Sequence, residues 1–289
     1  MEILTNRDEI RAWAVENRKA GHSIGFVPTM GALHAGHLEL LRTSQTQTDR
    51  TVVSIFVNPS QFGPAEDFNR YPRVIEQDKH MLRQAGCHAL FYPGVAAIYP
   101  QHFQTSVTVE PLGSDLCGRE RPGHFQGVAT VVTILLNLVR ADQAFFGLKD
   151  YQQFVIIQRL AQDLNLESKI VGVPTIREPD GLAMSSRNRY LSQEDRQRAA
   201  AIHAALAAAK SAFTAGEKRS GRLEAIARRI LTEASIHRIQ YISVRSATTL
   251  LPINTVHTDG VILTAVKVGE TRLIDNMLLN LPDQASPSS

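Results

Sequence analysis

Short apolar runs alternate with helical patterns over the first part of this 289-residue chain, and this alternation is the strongest constraint on its fold. Runs rich in β-branched residues, such as 51–57 and 170–174, indicate buried strands. Segments with helical spacing separate these runs. Strands that alternate with helices predict an α/β protein with a doubly wound, Rossmann-like parallel sheet.

The individual elements follow from the same patterns. Predicted strands cover 24–27, 51–57, 88–93, 144–146 and 170–174. Thr5 or Asn6 caps a first helix that runs to about Ala20. A second predicted helix begins near Gly36. Three more cover 74–85, 127–140 and 151–164.

The sequence changes character after a turn-forming segment at 177–181. An alanine-rich helix (199–215), a second helix to about Ser235, and strand candidates at 241–244 and 261–266 follow. We therefore predict two domains: residues 1–175, a Rossmann-like domain, and residues 176–289, a smaller C-terminal α+β domain. The Ser- and Pro-containing tail, 285–289, is predicted to be disordered.

Charge and cysteine content narrow the classes of function. The net charge is only +3, and no long basic tract is interleaved with aromatic residues, which argues against a nucleic-acid partner. The most apolar helical run is too short to span a bilayer, so no membrane partner is expected. Cys87 and Cys117 have no paired spacing, and the amino terminus lacks a signal-peptide layout. These features predict a cytoplasmic location.

The segment 27–37 joins a strand, a glycine-containing turn and a helix start. Such a junction favours an anion, because backbone N–H groups there are expected to be unpaired and the helix dipole is positive. His34 and His37 share a helix face above it. Two other interpretations remain open: a surface or capping histidine, or a metal pair. The zinc-protease motif, however, needs histidines four apart with a glutamate between them.

Polar residues also follow two further predicted strands, at 58–61 and 147–150. Ligands of doubly wound sheets lie beyond the carboxyl ends of the strands, so these residues are expected near the histidines. A later segment, 184–188, offers two hydroxyls and an arginine suited to phosphoryl oxygens. On its own, this segment is more typical of an ordinary polar helix entry.

Taken together, these motifs closely resemble those of the pantothenate synthetase (pantoate–β-alanine ligase) family, over essentially the whole chain. This family belongs to the nucleotidylyl transferases that carry a His-x-Gly-His signature. The matching segments are 28–37, 54–62, 70–73, 121–125, 146–153 and 181–188. The Asn-Pro-x-Gln-Phe and Arg-Pro-Gly-His-Phe segments are more specific than His-x-Gly-His, which many nucleotidylyl transferases share.

The resemblance implies an ATP-dependent ligase with three small-molecule substrates. In the family's reaction, the carboxylate of (R)-pantoate attacks the α-phosphorus of Mg-ATP, giving pantoyl adenylate and pyrophosphate. The amine of β-alanine then displaces AMP and forms pantothenate. Magnesium is expected, but no dedicated ligand is assigned, because only Asp78 stands where some members carry consecutive acidic residues.

The same resemblance implies roles for individual residues. His37, His34 and Lys149 would be catalytic, Gln61 and Gln153 would bind pantoate, and Gln61 would also touch β-alanine. Arg121 and His124 would support the entry region. The implied ATP-binding residues are Met30, Gly31, Ala32, Leu33, His34, Ala35, Gly36, His37, Gly147, Leu148, Lys149, Asp150, Ile176, Met184, Ser185, Ser186 and Arg187.

The family usually forms homodimers through its amino-terminal domain, and 105–109 is a candidate contact. A closing motion of the C-terminal domain over the phosphates is a further hypothesis. Three other functions share some of these motifs: a nucleotidylyl transferase with a phosphate-bearing acceptor, an aminoacyl-tRNA synthetase fragment, and a non-catalytic nucleotide-binding protein. The neutral side chains of Gln61 and Gln153 argue against a phosphate-bearing acceptor, which calls for arginine or lysine.

Overall fold

The amino-terminal part of the protein is built on a six-stranded sheet. The structure, a computed structural model, describes residues 1–64 and 66–281. Neighbouring strands are all parallel, in the order β1-β4-β3-β2-β5-β6. The strands are β1 (Glu2–Leu4), β2 (Ile24–Thr29), β3 (Arg50–Ile55), β4 (Ala89–Phe91), β5 (Gln143–Gly147) and β6 (Lys169–Val173). The predicted doubly wound parallel sheet is confirmed.

Helices cover both faces of this sheet because successive strand residues point to opposite sides. Phe26 packs in one apolar cluster and Val27 in another. Short 3₁₀ turns lie at Pro59–Gln61 and Leu148–Asp150. The helices are α1 (Arg7–Lys19), α2 (Ala35–Gln47), α3 (Ile75–Gln84), α4 (Val95–Ile98), α5 (Cys117–Glu120), α6 (His124–Val139) and α7 (Tyr151–Asp163).

The strand order reverses between β2 and β5. From β2 the chain proceeds through β3 to β4 on one side, whereas β5 and β6 lie on the other. The two central strands pair directly, with Phe26 opposite Ala144. A parallel sheet opens a crevice at the carboxyl ends of its strands where the order reverses, and this crevice is the usual ligand site. The segments after β2 and β5 are therefore expected to contact the ligand.

The C-terminal part carries an antiparallel sheet in the order β7-β8-β9. Its strands are β7 (Arg238–Ser246), β8 (Gly260–Val268) and β9 (Thr271–Leu279), and its helices are α8 (Gln193–Ala199), α9 (Ala201–Thr214) and α10 (Ser220–Glu233). Helices α9 and α10 share an apolar core with the sheet, which includes Leu206, Leu223 and Ile262. The predicted α+β architecture of this part is confirmed.

The chain divides into two compact units. The first comprises 1–176 with 184–186, and the second comprises 177–183 with 187–289. Within the described ranges, no helix is both long and apolar enough to cross a membrane. The tail predicted to be disordered, 285–289, lies outside the described residues.

Five elements were absent from the sequence predictions: β1, β9, α8 and the single-turn helices α4 and α5. Strand β1 has three residues, of which only Leu4 is buried, so it shows no run of apolar residues. Strand β9 contains Asp275 and Asn276, and helix α8 is mostly charged, so neither shows an apolar period. Helix α6 begins at His124 rather than near 127, because Gly123 in the left-handed region ends the preceding turn. His124 therefore belongs to the first turn of that helix.

Candidate active site

His34 and His37 cap the amino terminus of α2 reciprocally. His34 is the N-cap residue, and its Nδ1 accepts a hydrogen bond from the Gly36 N–H at 3.2 Å. In return, Nδ1 of His37 accepts the His34 N–H at 3.3 Å. The two rings lie with their centroids 4.0 Å apart. The helix start thus holds both imidazoles in fixed orientations.

This capping also determines where the imidazole protons reside. A nitrogen that accepts a hydrogen bond carries no proton, so each neutral ring keeps its proton on Nε2. Burial lowers the pKa of His37 to about 3, and the nearby His34 and Lys149 act in the same direction. His37 is therefore a neutral ring that can donate one hydrogen bond through Nε2–H.

The backbone amides of the turn are paired, contrary to the sequence expectation. The Asp78 carboxylate accepts the N–H groups of Ala32 at 2.9 Å and Leu33 at 2.8 Å. The Gly31 N–H donates to Thr29 Oγ1. These donors are occupied within the protein, so donors for an anion at this turn must come from side chains. The Nε2–H groups of the two histidines meet that requirement.

The side chain of Gln61 lies at the end of β3 in a network of neutral polar groups. Its Oε1 accepts a hydrogen bond from Asn58 Nδ2 at 3.1 Å, and its Nε2 donates to Met30 Sδ at 3.1 Å. Asn58 is buried, and its Oδ1 accepts hydrogen bonds from the hydroxyls of Ser60 and Tyr99. The carboxamide of Gln61 is therefore oriented from two sides, beside the turn that follows β2.

Arg121 and His124 hold the backbone of Gln61. The Gln61 carbonyl accepts hydrogen bonds from His124 Nδ1 at 2.8 Å and from Arg121 at 3.3 Å. Arg121 also donates to His124 Nε2, so His124 carries its proton on Nδ1. Burial, and then the Arg121 charge, lower the pKa of His124 to about 3. Glu66 forms an ion pair with Arg121 and completes the group.

Close packing between α6 and the Pro59–Gln61 turn depends on Gly127. A Cβ atom at this position would lie 2.3 Å from the carbonyl oxygen of Ser60 and 2.7 Å from the backbone nitrogen of Gln61. The Gly127 carbonyl also accepts a hydrogen bond from Asn58. The absence of a side chain at Gly127 therefore lets the Pro59–Gln61 turn pack directly against α6.

The segment after β5 brings a cation to the same edge of the sheet. Lys149 lies in the 3₁₀ turn Leu148–Asp150 that follows Gly147, and its Nζ is 3.6 Å from the carboxylate of Asp150. After burial and His34, the charge of Lys149 also contributes to lowering the pKa of His37. Lys149, which follows β5, therefore interacts electrostatically with His37, which follows β2.

The adjacent residues Gln152 and Gln153 differ in their surroundings. Gln152 is buried and bonds to the backbone of Leu112, Asp115 and Cys117. Gln153 is partly buried and makes no hydrogen bond through its side chain within the described ranges. The carboxamide of Gln153, and not that of Gln152, is therefore available to a ligand.

The later candidate residues divide between the two compact units. Ile176 and Met184 belong to the first unit, where the Met184 N–H donates to the Ile176 carbonyl at 3.0 Å. Ser186 is in the same unit, with its hydroxyl 3.3 Å from that of Tyr71. Arg187 belongs to the second unit.

The sequence placed Asn58 near the histidines without a role of its own, and it gave no role to Glu66 or Tyr99, or to Asp78 as a partner of the turn. For Asn58 a signal existed, since asparagine before proline is a common cap of a helical turn, and Asn58 caps Pro59–Gln61. Tyr99 and Glu66 lie in irregular segments without periodicity. Their contacts arise from the tertiary fold alone.

The described residues do not form a metal site of their own. No group of three or more histidine, cysteine, aspartate or glutamate side chains in 1–64 and 66–281 is arranged to hold a metal ion. Asp78, the acidic residue singled out for magnesium, already has each carboxylate oxygen on a backbone N–H. Asp78 is also buried at 1% relative exposure, whereas a protein-bound Mg²⁺ usually keeps several waters, so this carboxylate does not fit that ion.

Comparison with known proteins shows the family to which the chain belongs. Residues 2–278 match the family model of pantoate–beta-alanine ligase. The chain is 51% identical over 282 residues to a pantothenate synthetase of Magnetococcus marinus, covering 96% of each chain. It is 48% identical over 279 residues to that of Pelotomaculum thermopropionicum, covering 96% of this chain and 99% of the relative.

Solved structures with the same fold include the pantothenate synthetase of Thermus thermophilus. The TM-score is 0.92 at 42% identity, with 97% of this chain and 100% of that chain covered. The pantoate–beta-alanine ligase of Francisella tularensis was solved with beta-gamma ATP and beta-alanine. It has a TM-score of 0.79 at 33% identity, over 96% of this chain and 98% of that chain. The chain belongs to the pantoate–beta-alanine ligase family.

Proposed function

We propose that this protein condenses (R)-pantoate with β-alanine, consuming ATP and forming pantothenate, AMP and pyrophosphate. Family membership over nearly the whole chain supports this reaction. The observation that carries the proposal is the arrangement at the carboxyl edge of the sheet. Two fixed imidazoles, the cation of Lys149 and the oriented carboxamide of Gln61 lie on segments that follow adjacent strands.

The first step is the attack of a pantoate carboxylate oxygen on the α-phosphorus of ATP. The bond from this phosphorus to the oxygen that bridges to the β-phosphate breaks, and pyrophosphate leaves with that oxygen. His34 and His37 donate hydrogen bonds from Nε2–H to phosphate oxygens. Lys149 offsets the negative charge that repels the incoming carboxylate. Because His37 is neutral, it acts as a hydrogen-bond donor in this step.

The second step forms the amide. The amine of β-alanine attacks the carbonyl carbon of pantoyl adenylate, loses a proton, and AMP leaves with one oxygen of the former carboxylate. Gln61 and Gln153 each offer a donor and an acceptor, which suits a substrate that carries hydroxyls and a carboxylate. Gln61 also contacts β-alanine. The site acts mainly by alignment and by stabilising charge.

Magnesium enters this reaction as part of the Mg-ATP substrate. Phosphate and water oxygens are the ligands that Mg²⁺ commonly uses with nucleotides. The burial of Asp78 and its hydrogen bonds to two backbone N–H groups support this assignment. No dedicated protein ligand is therefore needed.

The protein acts as a cytoplasmic homodimer in this proposal, associating through its amino-terminal unit. The candidate contact, 105–109, is an extended and mostly exposed segment. It is held against α6 by a hydrogen bond from the Val107 N–H to Thr130 Oγ1, and by two from Gln126. A sedimentation experiment distinguishes this dimer from a monomer.

Oxygen transfer tests the reaction directly. Pantoate labelled with ¹⁸O in its carboxylate is incubated with ATP, β-alanine and the protein, and the AMP is analysed by mass spectrometry. Pantoyl adenylate chemistry transfers one labelled oxygen to AMP. Unlabelled AMP, or ADP as the product, contradicts the proposal.

A nucleotidylyl transferase that acts on a phosphate-bearing acceptor is the second candidate. It shares the histidine pair and the lysine. The neutral network around Gln61, built from Asn58 and Tyr99, does not favour it. A phosphate-bearing acceptor calls for a guanidinium or ammonium group where these amides stand.

A further inference from the structure

The carboxylate of Asp78 lies against the turn that connects β2 to α2. Asp78 belongs to the first turn of α3, and its side chain is buried, with 1% relative exposure. Its Oδ2 is 2.9 Å from the Ala32 nitrogen and its Oδ1 is 2.8 Å from the Leu33 nitrogen. A carboxylate in such surroundings requires hydrogen-bond donors, and the turn supplies one for each oxygen.

The conformation of the turn matches this contact. Gly31 and Ala32 both have positive φ, at 80° and 50°. Successive N–H groups in such a turn form a concavity that binds an anion. A Cβ atom on Gly31 would lie 3.0 Å from both Asp78 Oδ2 and Ile55 Cγ2, so the carboxylate is packed closely against the backbone. The concavity is thus filled by an anion from the protein itself.

We propose that Asp78 is a positioning residue that holds the turn Met30–Leu33 in its nucleotide-binding conformation, rather than a ligand of magnesium. The proposal rests on the function proposed above, in which this turn and the following histidines meet ATP. A metal ion on Asp78 would have to share these oxygens with the two backbone N–H groups, and a side chain with 1% exposure leaves little room for the waters that Mg²⁺ keeps. The strained backbone at Ala32 is instead maintained before ATP binds.

Substitution of Asp78 by asparagine, compared with Glu76→Gln, tests this role. Both changes remove one negative charge from the first turn of α3, but Glu76 is exposed and pairs only with Lys79. Asparagine keeps one acceptor and places an NH₂ group against the second backbone donor. We expect ATP binding, measured by calorimetry, to weaken about ten- to a hundredfold in Asp78→Asn and to stay unchanged in Glu76→Gln.

Two further readouts separate a positioning role from a metal-binding role. In Asp78→Asn, the amides of Ala32 and Leu33 should exchange hydrogen faster than in the unchanged protein, while the Mg²⁺ concentration for half-maximal activity stays the same. A metal ligand predicts the reverse: unchanged amide exchange and a higher Mg²⁺ requirement. The KM for ATP should rise more than kcat falls, since a loss of folded protein would lower kcat alone.

The unchanged protein gives a test that does not depend on the variant folding. Without ligands, the Ala32 and Leu33 amides should be protected from exchange, and addition of Mg²⁺ alone should leave their rates and chemical shifts unaltered. Rapid exchange, or a shift on adding Mg²⁺, overturns the proposal. These measurements need no substrate, so they remain decisive if the protein proves not to act on pantoate.

Discussion

His37 accepts the backbone N–H of His34 through Nδ1 at 3.3 Å, while its own ring lies 4.0 Å from that of His34. The pair therefore has a structural task and a chemical one. The Nδ1 atoms complete the start of α2, and each neutral ring keeps its N–H donor at Nε2. This division explains how two histidines can be held rigidly and still act as donors.

The protonation of His37 is the first prediction. Burial, and then His34 and Lys149, lower its pKa to about 3, so the ring should stay neutral from pH 8 down to below pH 5. Nitrogen-15 NMR of the free protein should show a proton on Nε2 throughout this range. A titration near pH 6.5, or a proton on Nδ1 at neutral pH, contradicts the prediction.

Stability should fall as the pH drops below 6.5, and His124 should be one cause. Its pKa in the folded protein is about 3 against an ordinary value of 6.5, owing to burial and then to Arg121. Between these values the unfolded chain binds a proton that the folded protein does not, so acid favours unfolding. One such group contributes up to about 1.4 kcal/mol per pH unit to the free energy of unfolding.

Substitution of His124 by glutamine tests that cause. Glutamine offers a donor to the Gln61 carbonyl and an acceptor to Arg121, but it does not titrate. Denaturant unfolding at several pH values from 7 to 4.5 should show a shallower slope for this variant. An unchanged slope assigns the acid sensitivity to other groups.

Gly127→Ala should damage the site through packing. The new Cβ atom would lie 2.3 Å from the Ser60 carbonyl oxygen, so α6 or the Gln61 turn must shift. We expect a loss of about 1–3 kcal/mol in unfolding free energy, and higher KM values for pantoate and β-alanine.

Gly221→Ala is the matched control for this change. Gly221 is also near the start of a helix, but no atom lies within 4 Å of the added Cβ. Alanine there should leave the kinetics unchanged and raise stability by up to about 1 kcal/mol. Equal effects of the two substitutions on KM would contradict the packing explanation.

The neighbouring glutamines of α7 should respond in opposite ways. Gln152→Leu removes three hydrogen bonds to the backbone around α5 and should cost about 1–3 kcal/mol of stability. Gln153→Leu should leave the thermal midpoint unchanged and raise the KM for pantoate about tenfold or more. Thermal unfolding and steady-state kinetics on both variants check this contrast.

Much of the amino-terminal sheet could be predicted because buried parallel strands appear as continuous apolar runs. The runs 51–57 and 170–174 show this pattern. Strand β9 could not be found in this way, since Asp275 interrupts its apolar pattern. That carboxylate is buried in an ion pair with Arg177, a partner 98 positions away.

The candidate site likewise has one part that could be predicted from the sequence and one part that could not. Motif spacing predicted that His34, His37 and Lys149 lie near one another, because all three follow strands of one parallel sheet. The pairing of Asp78 with Ala32 and Leu33 spans 46 and 45 positions, and it depends on where α3 packs. Local patterns contain no information about such a contact. The expectation of unpaired turn amides was wrong for this reason.

Pantoate-dependent exchange of labelled pyrophosphate into ATP, with β-alanine absent, isolates the adenylate-forming step of the proposed mechanism. This mechanism requires exchange that depends on pantoate, and a fall of about 10²–10³-fold in His37→Ala as one phosphate donor is lost. Exchange without pantoate, or only with a phosphate-bearing acceptor, would contradict it. So would the absence of exchange from a folded protein that binds ATP.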